Sequence, residues 1–99
     1  MMRRETKFSR YDVADYLKSD EELVAYLNAC MDEAGDDAAY VAAALGDAAR
    51  ARGMTQLARD TEISREELYK ALSSDGNPGL ATVLKVMRAL GLKLTVKAA

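Results

Sequence analysis

Four side chains that lie close together in the sequence could read the edges of DNA bases. Arg65, Glu66, Tyr69 and Lys70 recur at the spacing of one helix face, because residues four apart on a helix are neighbours. A helix fits the major groove of B-DNA, where arginine donates to guanine and a carboxylate accepts from cytosine. Tyrosine and lysine are long enough to reach bases or phosphates. The stretch therefore predicts a face that reads nucleic acid.

Two short helices with almost no loop between them would position this face, in the stretch LARDTEISREELYKAL, residues 57–72. Ser64 is a suitable N-cap for the second helix, and Glu67 three residues later completes a capping-box pattern. Ile63 and Leu68 are spaced as a hydrophobic staple, which fixes the direction in which the chain enters the helix. Two helices joined by so tight a turn predict a helix-turn-helix.

Further polar residues flank these two helices. Thr55 and Gln56 open the first helix, where side chains and main-chain amides can bind phosphate. Three residues have an alternative to base contact. Glu67 can cap the helix, Tyr69 can lie at the rim of the core, and the Glu66 carboxylate can repel phosphate. The candidate DNA-binding residues are Thr55, Gln56, Ser64, Arg65, Glu66, Tyr69, Lys70, Ser73 and Asn77.

The composition argues against most catalytic and metal chemistry. The 99 residues include no histidine and one cysteine, which removes Ser-His-Asp triads, Cys-His pairs and most zinc and iron sites. No carboxylate stands out as half of a tuned acid–base pair, so we expect no enzyme, no catalytic residue, no metal and no cofactor. The lone Cys30, the lack of a secretory signal and a longest apolar run of eight residues, 38–45, predict a cytoplasmic protein without a membrane span.

The charge is divided unevenly along the chain. Residues 1–49 carry 5 Lys or Arg and 11 Asp or Glu, a net charge of −6. Residues 50–99 carry 9 Lys or Arg and 5 Asp or Glu, a net charge of +4. Such asymmetry is typical of an acidic half that meets a basic partner and a basic half that meets an anionic one. A helix-rich surface whose charge simply varies is the alternative.

Three helical segments precede the two short helices. YDVADYL has the pattern of a helical turn capped by Asp12, and SDEELVAYLNACMDEAG that of a helix with a capping box at Ser19 and Glu22. DDAAYVAAALGDAARARG predicts a third segment that ends at Gly53. Gly46 inside it is unfavourable for helix formation, which indicates a tight crossing with a neighbour.

A final helix and one short strand are predicted after the turn. Asn77 can cap the helix with Pro78 at its first position. LKLTVK alternates with the two-residue period of a strand, and the same strand of a second copy could pair with it about a twofold axis. A frayed tail with accidental alternation is the alternative. The apolar stripe of the helix is Leu80, Val83, Leu84, Met87 and Leu90, and the dimerisation residues of the strand are Leu92, Leu94 and Val96.

Long stretches of the chain resemble one protein family. GMTQLARDTEISREELYKAL, followed by NPGLATVLKVMRALGLKL, is similar to the probable addiction-module antidote family, small bacterial helix-turn-helix antitoxins related broadly to HigA-like proteins. The resemblance continues upstream through YDVADYL, EELVAYL and ALGDAARARG. It implies an all-α fold: a five-helix lambda-repressor-like helix-turn-helix domain with an N-terminal helical extension and a short C-terminal β-strand. The predicted domains are the extension, residues 1–35, and the DNA-binding domain with its dimerisation strand, residues 36–99.

The resemblance also implies a function. It implies an antitoxin of a type II toxin–antitoxin module, which neutralises a RelE/ParE-like toxin and, as a homodimer, represses its own operon by binding operator DNA. Two features depart from the phage-repressor pattern: TQLA is contiguous, and Glu62 stands at the turn position usually held by glycine.

The acidic N-terminal half is the expected contact for a basic toxin, with much of the interface supplied by residues 11–33. Tyr11, Tyr16 and Leu17 are candidate anchors, because large side chains dominate interface energies. They serve equally well as ordinary core residues. Two other functions stay open: a toxin-binding inhibitor without DNA binding, and a stand-alone helix-turn-helix transcription regulator.

Overall fold

Five α-helices and one 3₁₀ helix lie within residues 12–99, the part of the chain that the computed structural model describes. The all-α class is confirmed for these residues. None of the helices described there combines the length and the hydropathy that a membrane crossing requires. In chain order they are the 3₁₀ helix Val13–Tyr16, α1 Asp20–Ala34, α2 Ala38–Arg52, α3 Met54–Thr61, α4 Arg65–Ala71 and α5 Leu80–Ala89.

The predicted caps of the first two elements are confirmed. Asp12 Oδ1 accepts a hydrogen bond from the N–H of Ala14 at 3.1 Å, at the start of the 3₁₀ helix. Ser19 Oγ accepts from the N–H of Glu22 at 3.1 Å, and Glu22 Oε1 accepts from the N–H of Ser19 at 3.0 Å. This reciprocal pair satisfies donors that a helix leaves free at its N-terminus, so the start of α1 is well defined.

The start of α5 differs from the prediction. The helix begins at Leu80 and its N-cap is Gly79, so the prediction that Asn77 caps it and Pro78 opens it was wrong. Both residues lie in a stretch without regular structure, residues 76–79. The proline ring disfavours helical geometry at the residue before it, and Gly79 itself is extended with ψ 164°. The helix therefore starts only after these residues.

One hydrophobic cluster joins all five α-helices. The cluster crosses the boundary predicted at residue 35, so α1 shares its core with the later helices. The predicted stripe of α5 was wrong at two positions, because Leu80 and Leu84 are exposed, whereas Val86, outside that stripe, is fully buried. Representative members are Leu23, Leu27 and Cys30 of α1, Leu45 of α2, Leu57 of α3, Leu68 of α4, and Val86 of α5.

The close approach predicted at Gly46 is confirmed. A Cβ added to this residue of α2 would lie 2.1 Å from the main-chain oxygen of Leu72, the C-cap of α4. No real Cβ tolerates that separation, so only glycine lets α2 and the end of α4 pack at this distance. Gly46 thereby helps to set the position of α4 on the core.

A polar network ties the 3₁₀ helix to α2 and α1. Arg50 donates to Asp12 through two nitrogen atoms, at 2.9 and 2.7 Å, and to Asp47 at 2.6 Å. Tyr26 of α1 donates to the second oxygen of Asp47 at 2.5 Å. The hydrogen bonds from Arg50 hold the pKa of Asp12 below its usual value, whereas burial and the bond to Asp47 raise the pKa of Tyr26. Arg50 therefore fastens the segment before α1 onto α2.

The predicted C-terminal strand is not found. Residues 92–99 have no regular secondary structure, and no strand occurs within residues 12–99. The physical reason is that a strand needs a hydrogen-bonded neighbour, and the rest of the described chain is helical. Leu92 is half-buried and its N–H donates to the carbonyl of Met87 at 2.8 Å, whereas Val96 is 95% exposed. The Leu92 end of the tail is thus hydrogen-bonded to α5.

Candidate nucleic-acid interface

Residues 62–64 form the turn between α3 and α4, and hydrogen bonds hold it in one conformation. Thr61 Oγ1 donates to the carbonyl of Leu57 at 2.8 Å and accepts from the N–H of Ile63 at 3.2 Å. Glu62 adopts a left-handed conformation, φ 62° and ψ 27°, and its N–H donates to the carbonyl of Ala58 at 2.9 Å. Glycine, which usually occupies this turn position, adopts such a conformation without steric cost, so Glu62 is strained here.

Ser64 fixes the start of α4. Its Oγ accepts from the N–H of Glu67 at 3.1 Å. The return bond, in which the N–H of Ser64 would donate to the Glu67 carboxylate, is not formed between these two described residues, so the predicted capping box is half complete. Leu68 is fully buried, and half-buried Ile63 packs against the core beside it. The cap and this apolar contact together set the direction of α4.

The face of α4 opposite Leu68 points to solvent. Arg65, Glu66 and Lys70 are exposed, and Tyr69 is 46% exposed. Within residues 12–99, none of these four side chains makes a hydrogen bond or an ion pair. Within the described chain, these polar groups are available to another molecule.

The other candidate DNA-binding residues differ in exposure and in whether their side chains already bond within the chain. Thr55 and Asn77 are exposed. Gln56 is also exposed, but its side-chain amide donates to Asp60 Oδ1 at 2.9 Å. The half-buried Ser73 uses its hydroxyl within the chain, donating to the carbonyl of Lys70 at 3.1 Å. Ser73 therefore supports the C-terminal end of α4, and its proposed role in DNA binding stays a prediction.

Comparison with known proteins decides the family. The family model described as "Probable addiction module antidote protein" matches residues 7–98, almost the whole chain. The chain belongs to this antidote family. It is also 55% identical over 87 residues to an uncharacterized protein of Haemophilus influenzae, with 88% of each chain covered. No solved structure matches it.

The charge around α4 in this member of the antidote family is not basic. Residues 54–77 carry three Lys or Arg and five Asp or Glu. Arg50 and Arg52, counted in the basic half of the sequence, are bound by acidic residues of the other half: Arg52 contacts Asp20 at 2.6 Å, and Arg50 contacts Asp12. Part of the charge asymmetry therefore reflects internal ion pairs, and DNA binding at α4 would depend on particular contacts rather than a broad positive field.

The predicted toxin-contacting anchors lie in different surroundings. Tyr16 is exposed on the 3₁₀ helix, whereas Leu17 is half-buried and packs against the core. Tyr11 lies outside the described residues. Sequence reasoning missed an exposed apolar stripe on α1, formed by Val24 and Met31. Val24 was the available signal, because it falls outside the buried face defined by Leu23, Leu27 and Cys30.

Proposed function

We propose that this chain is the antitoxin of a type II toxin–antitoxin module, which binds and neutralises a RelE/ParE-like toxin encoded beside it. Membership of the antidote family over residues 7–98 supports an antitoxin role. The described residues contain no group of three or more His, Cys, Asp or Glu side chains placed to hold a metal ion. The proposed action is stoichiometric binding rather than catalysis.

We propose further that the chain represses its own operon, with α3 and α4 acting as a lambda-repressor-like helix-turn-helix. The observation that carries this proposal is the outward face of α4, which is capped, buried on its opposite side and uncovered by the described chain. Arg65, Glu66, Tyr69 and Lys70 are the proposed reading residues. Thr55, at the start of α3, is suited to a phosphate contact.

Repression requires two copies, because one seven-residue helix reads only a short site. Helix-turn-helix dimers place two reading helices on successive major-groove turns, about 34 Å apart. We propose that Leu92, Leu94 and Val96 form the dimer contact by antiparallel pairing. Within the described residues, the main chain of residues 93–99 makes no hydrogen bond, and Leu94 and Val96 are exposed, which leaves the tail available for such pairing.

Binding of the purified protein to the DNA upstream of its own operon tests the repressor proposal. Arg65→Ala combined with Lys70→Ala should abolish specific binding and leave the thermal unfolding transition unchanged, because both side chains are exposed. The control is Lys18→Glu. It lowers the net charge by the same two units at an exposed position outside α3, α4 and the proposed dimer contact, and should bind DNA like wild type. Undiminished binding by the Arg65 and Lys70 variant would contradict the assigned reading face.

A toxin inhibitor without DNA binding is the second candidate, and the acidic excess over residues 54–77 favours it. Failure of the wild-type protein to bind any upstream DNA, together with tight toxin binding, would establish this candidate instead. A stand-alone regulator would bind the upstream DNA but would not bind the product of the adjacent reading frame. Co-expression with the product of the adjacent reading frame decides the toxin part: the antitoxin should restore growth and co-purify with that product.

A further inference from the structure

We propose that the outer face of α1, defined here as Glu21, Val24, Asn28, Met31 and Asp32, is the surface on which the toxin docks through a basic, partly apolar patch. The proposal rests on the proposed antitoxin function and names the contact surface that this function needs. Within the interface predicted for residues 11–33, it places the main contact on the outer face of α1 rather than on Tyr16 and Leu17.

Apolar side chains on this face have no partner within the described chain. Val24 and Met31 are 41% and 38% exposed, although Leu23 and Leu27 of the same helix are buried. Residues seven apart complete about two helical turns, so Val24 and Met31 lie on the same side of α1. Large apolar side chains grouped on a surface and bordered by polar residues are typical of protein interaction sites.

The face is also continuous with a groove beside the C-terminal tail. A shallow depression includes Glu21, Val24 and Asn28, and a groove of about 660 Å³ includes Asn28 and Met31. Because Asn28 borders both, the two concavities form one surface along α1. The floor of the groove is apolar and is supplied by Leu27, Leu45 and Met87, and its opposite wall is formed by the tail, residues 93–97. An apolar side chain of a partner would be desolvated there.

The charge of this region specifies the partner. Residues 20–37 include seven Asp or Glu and no Lys or Arg. The acidic residues stand at the two ends of α1, with Val24, Asn28 and Met31 between them. Pairing of this face with itself would bring like charges together, which is unfavourable, whereas a partner surface carrying lysine and arginine is complementary. Lys93 and Lys97 of the tail also line the groove, so the acidic charge that a basic partner would meet lies on the α1 side.

The test is a double charge reversal, Glu21→Lys with Asp32→Lys, measured by calorimetric titration against the purified product of the adjacent reading frame. The two changes lie near opposite ends of α1, so their effects on the helix dipole oppose each other and the fold should be retained. We expect binding to weaken by about tenfold or more, because like charges then face each other across the interface. The control, Glu62→Lys with Asp75→Lys, has the same net charge change on exposed residues outside α1 and should bind the toxin like wild type.

The possible outcomes separate this proposal from the proposed function. If wild-type protein does not bind the neighbouring product, the antitoxin function fails. If wild type binds and the Glu21 and Asp32 variant binds equally well, the α1 face is the wrong surface. Equal losses in both variants would indicate a general charge effect and overturn the proposal. A change in self-association of the Glu21 and Asp32 variant, with toxin affinity unchanged, would assign the face to a second copy.

Discussion

Replacement of Gly46 by alanine separates local helix propensity from packing, because propensity predicts a higher free energy of unfolding and packing predicts a lower one. Gly46 lies inside α2, where alanine is intrinsically favoured over glycine by about 1 kcal/mol. The added Cβ, however, would lie 2.1 Å from the oxygen of Leu72 and 3.2 Å from its carbonyl carbon. A main-chain oxygen cannot rotate away as a flexible side chain can. Either α2 or the end of α4 must therefore move.

The magnitude follows from these two opposing effects. Extra atoms in a well-packed core cost about 1–3 kcal/mol, and the upper part of that range applies because the oxygen lies far inside contact distance. After the gain of about 1 kcal/mol from propensity, a net destabilisation of about 1–2 kcal/mol remains. In a domain of this size, each kcal/mol lowers the melting temperature by roughly 4–8 °C. The expected fall is thus about 5–15 °C.

Thermal and urea unfolding followed by circular dichroism measure this effect. Gly79→Ser is the matched control, because a Cβ at Gly79 meets open space and serine is a good N-cap, so its stability should change by no more than about 0.5 kcal/mol. Since Leu72 caps α4, Gly46→Ala should also weaken DNA binding at temperatures where the variant is folded. A higher melting temperature for Gly46→Ala would refute the packing argument.

Two further predictions concern the polar network and the turn. Asp12→Asn, which keeps a capping oxygen, should cost about 1 kcal/mol or less at pH 7, because both Asp12 and Arg50 are about one-third exposed. The lowered pKa of Asp12 means that its contribution exists above the unfolded-state pKa, about 4, and disappears as pH falls through the lower folded-state value, so unfolding curves of variant and wild type should converge as the pH is lowered from 7. An equal difference at pH 3 and pH 7 would contradict this. Glu62→Gly should raise the free energy of unfolding by about 0.5–1 kcal/mol, because glycine relieves the left-handed strain at φ 62°, and a loss of stability in urea unfolding would count against it.

Local signals in the sequence predicted much of the fold. The glycine that is unfavourable inside α2 indicated the close approach at Gly46, and the capping box at Ser19 and Glu22 follows from the conformational preferences of a few neighbouring residues. Such preferences act before any tertiary contact is considered. The helices and the turn that present α4 could therefore be predicted from the sequence.

Features that depend on contacts between residues far apart in the sequence could not be predicted in this way. Arg50 and Asp12 are 38 residues apart, and no spacing rule joins them. On α5, helical spacing alone did not distinguish Leu84, which is exposed, from Val86, which the other helices bury. The tail alternates like a strand, but alternation does not supply the second strand that its main chain needs.

Operator binding by the purified protein as a function of salt tests the central claim most directly, since that claim is that the outward face of α4 binds DNA. A dimer that brings Arg65 and Lys70 of both copies to the DNA neutralises at most four phosphates. Specific affinity should then be in the nanomolar range and fall by about 100-fold between 50 and 200 mM salt. Equal affinity for operator and scrambled DNA, or binding that does not respond to salt, would contradict the claim.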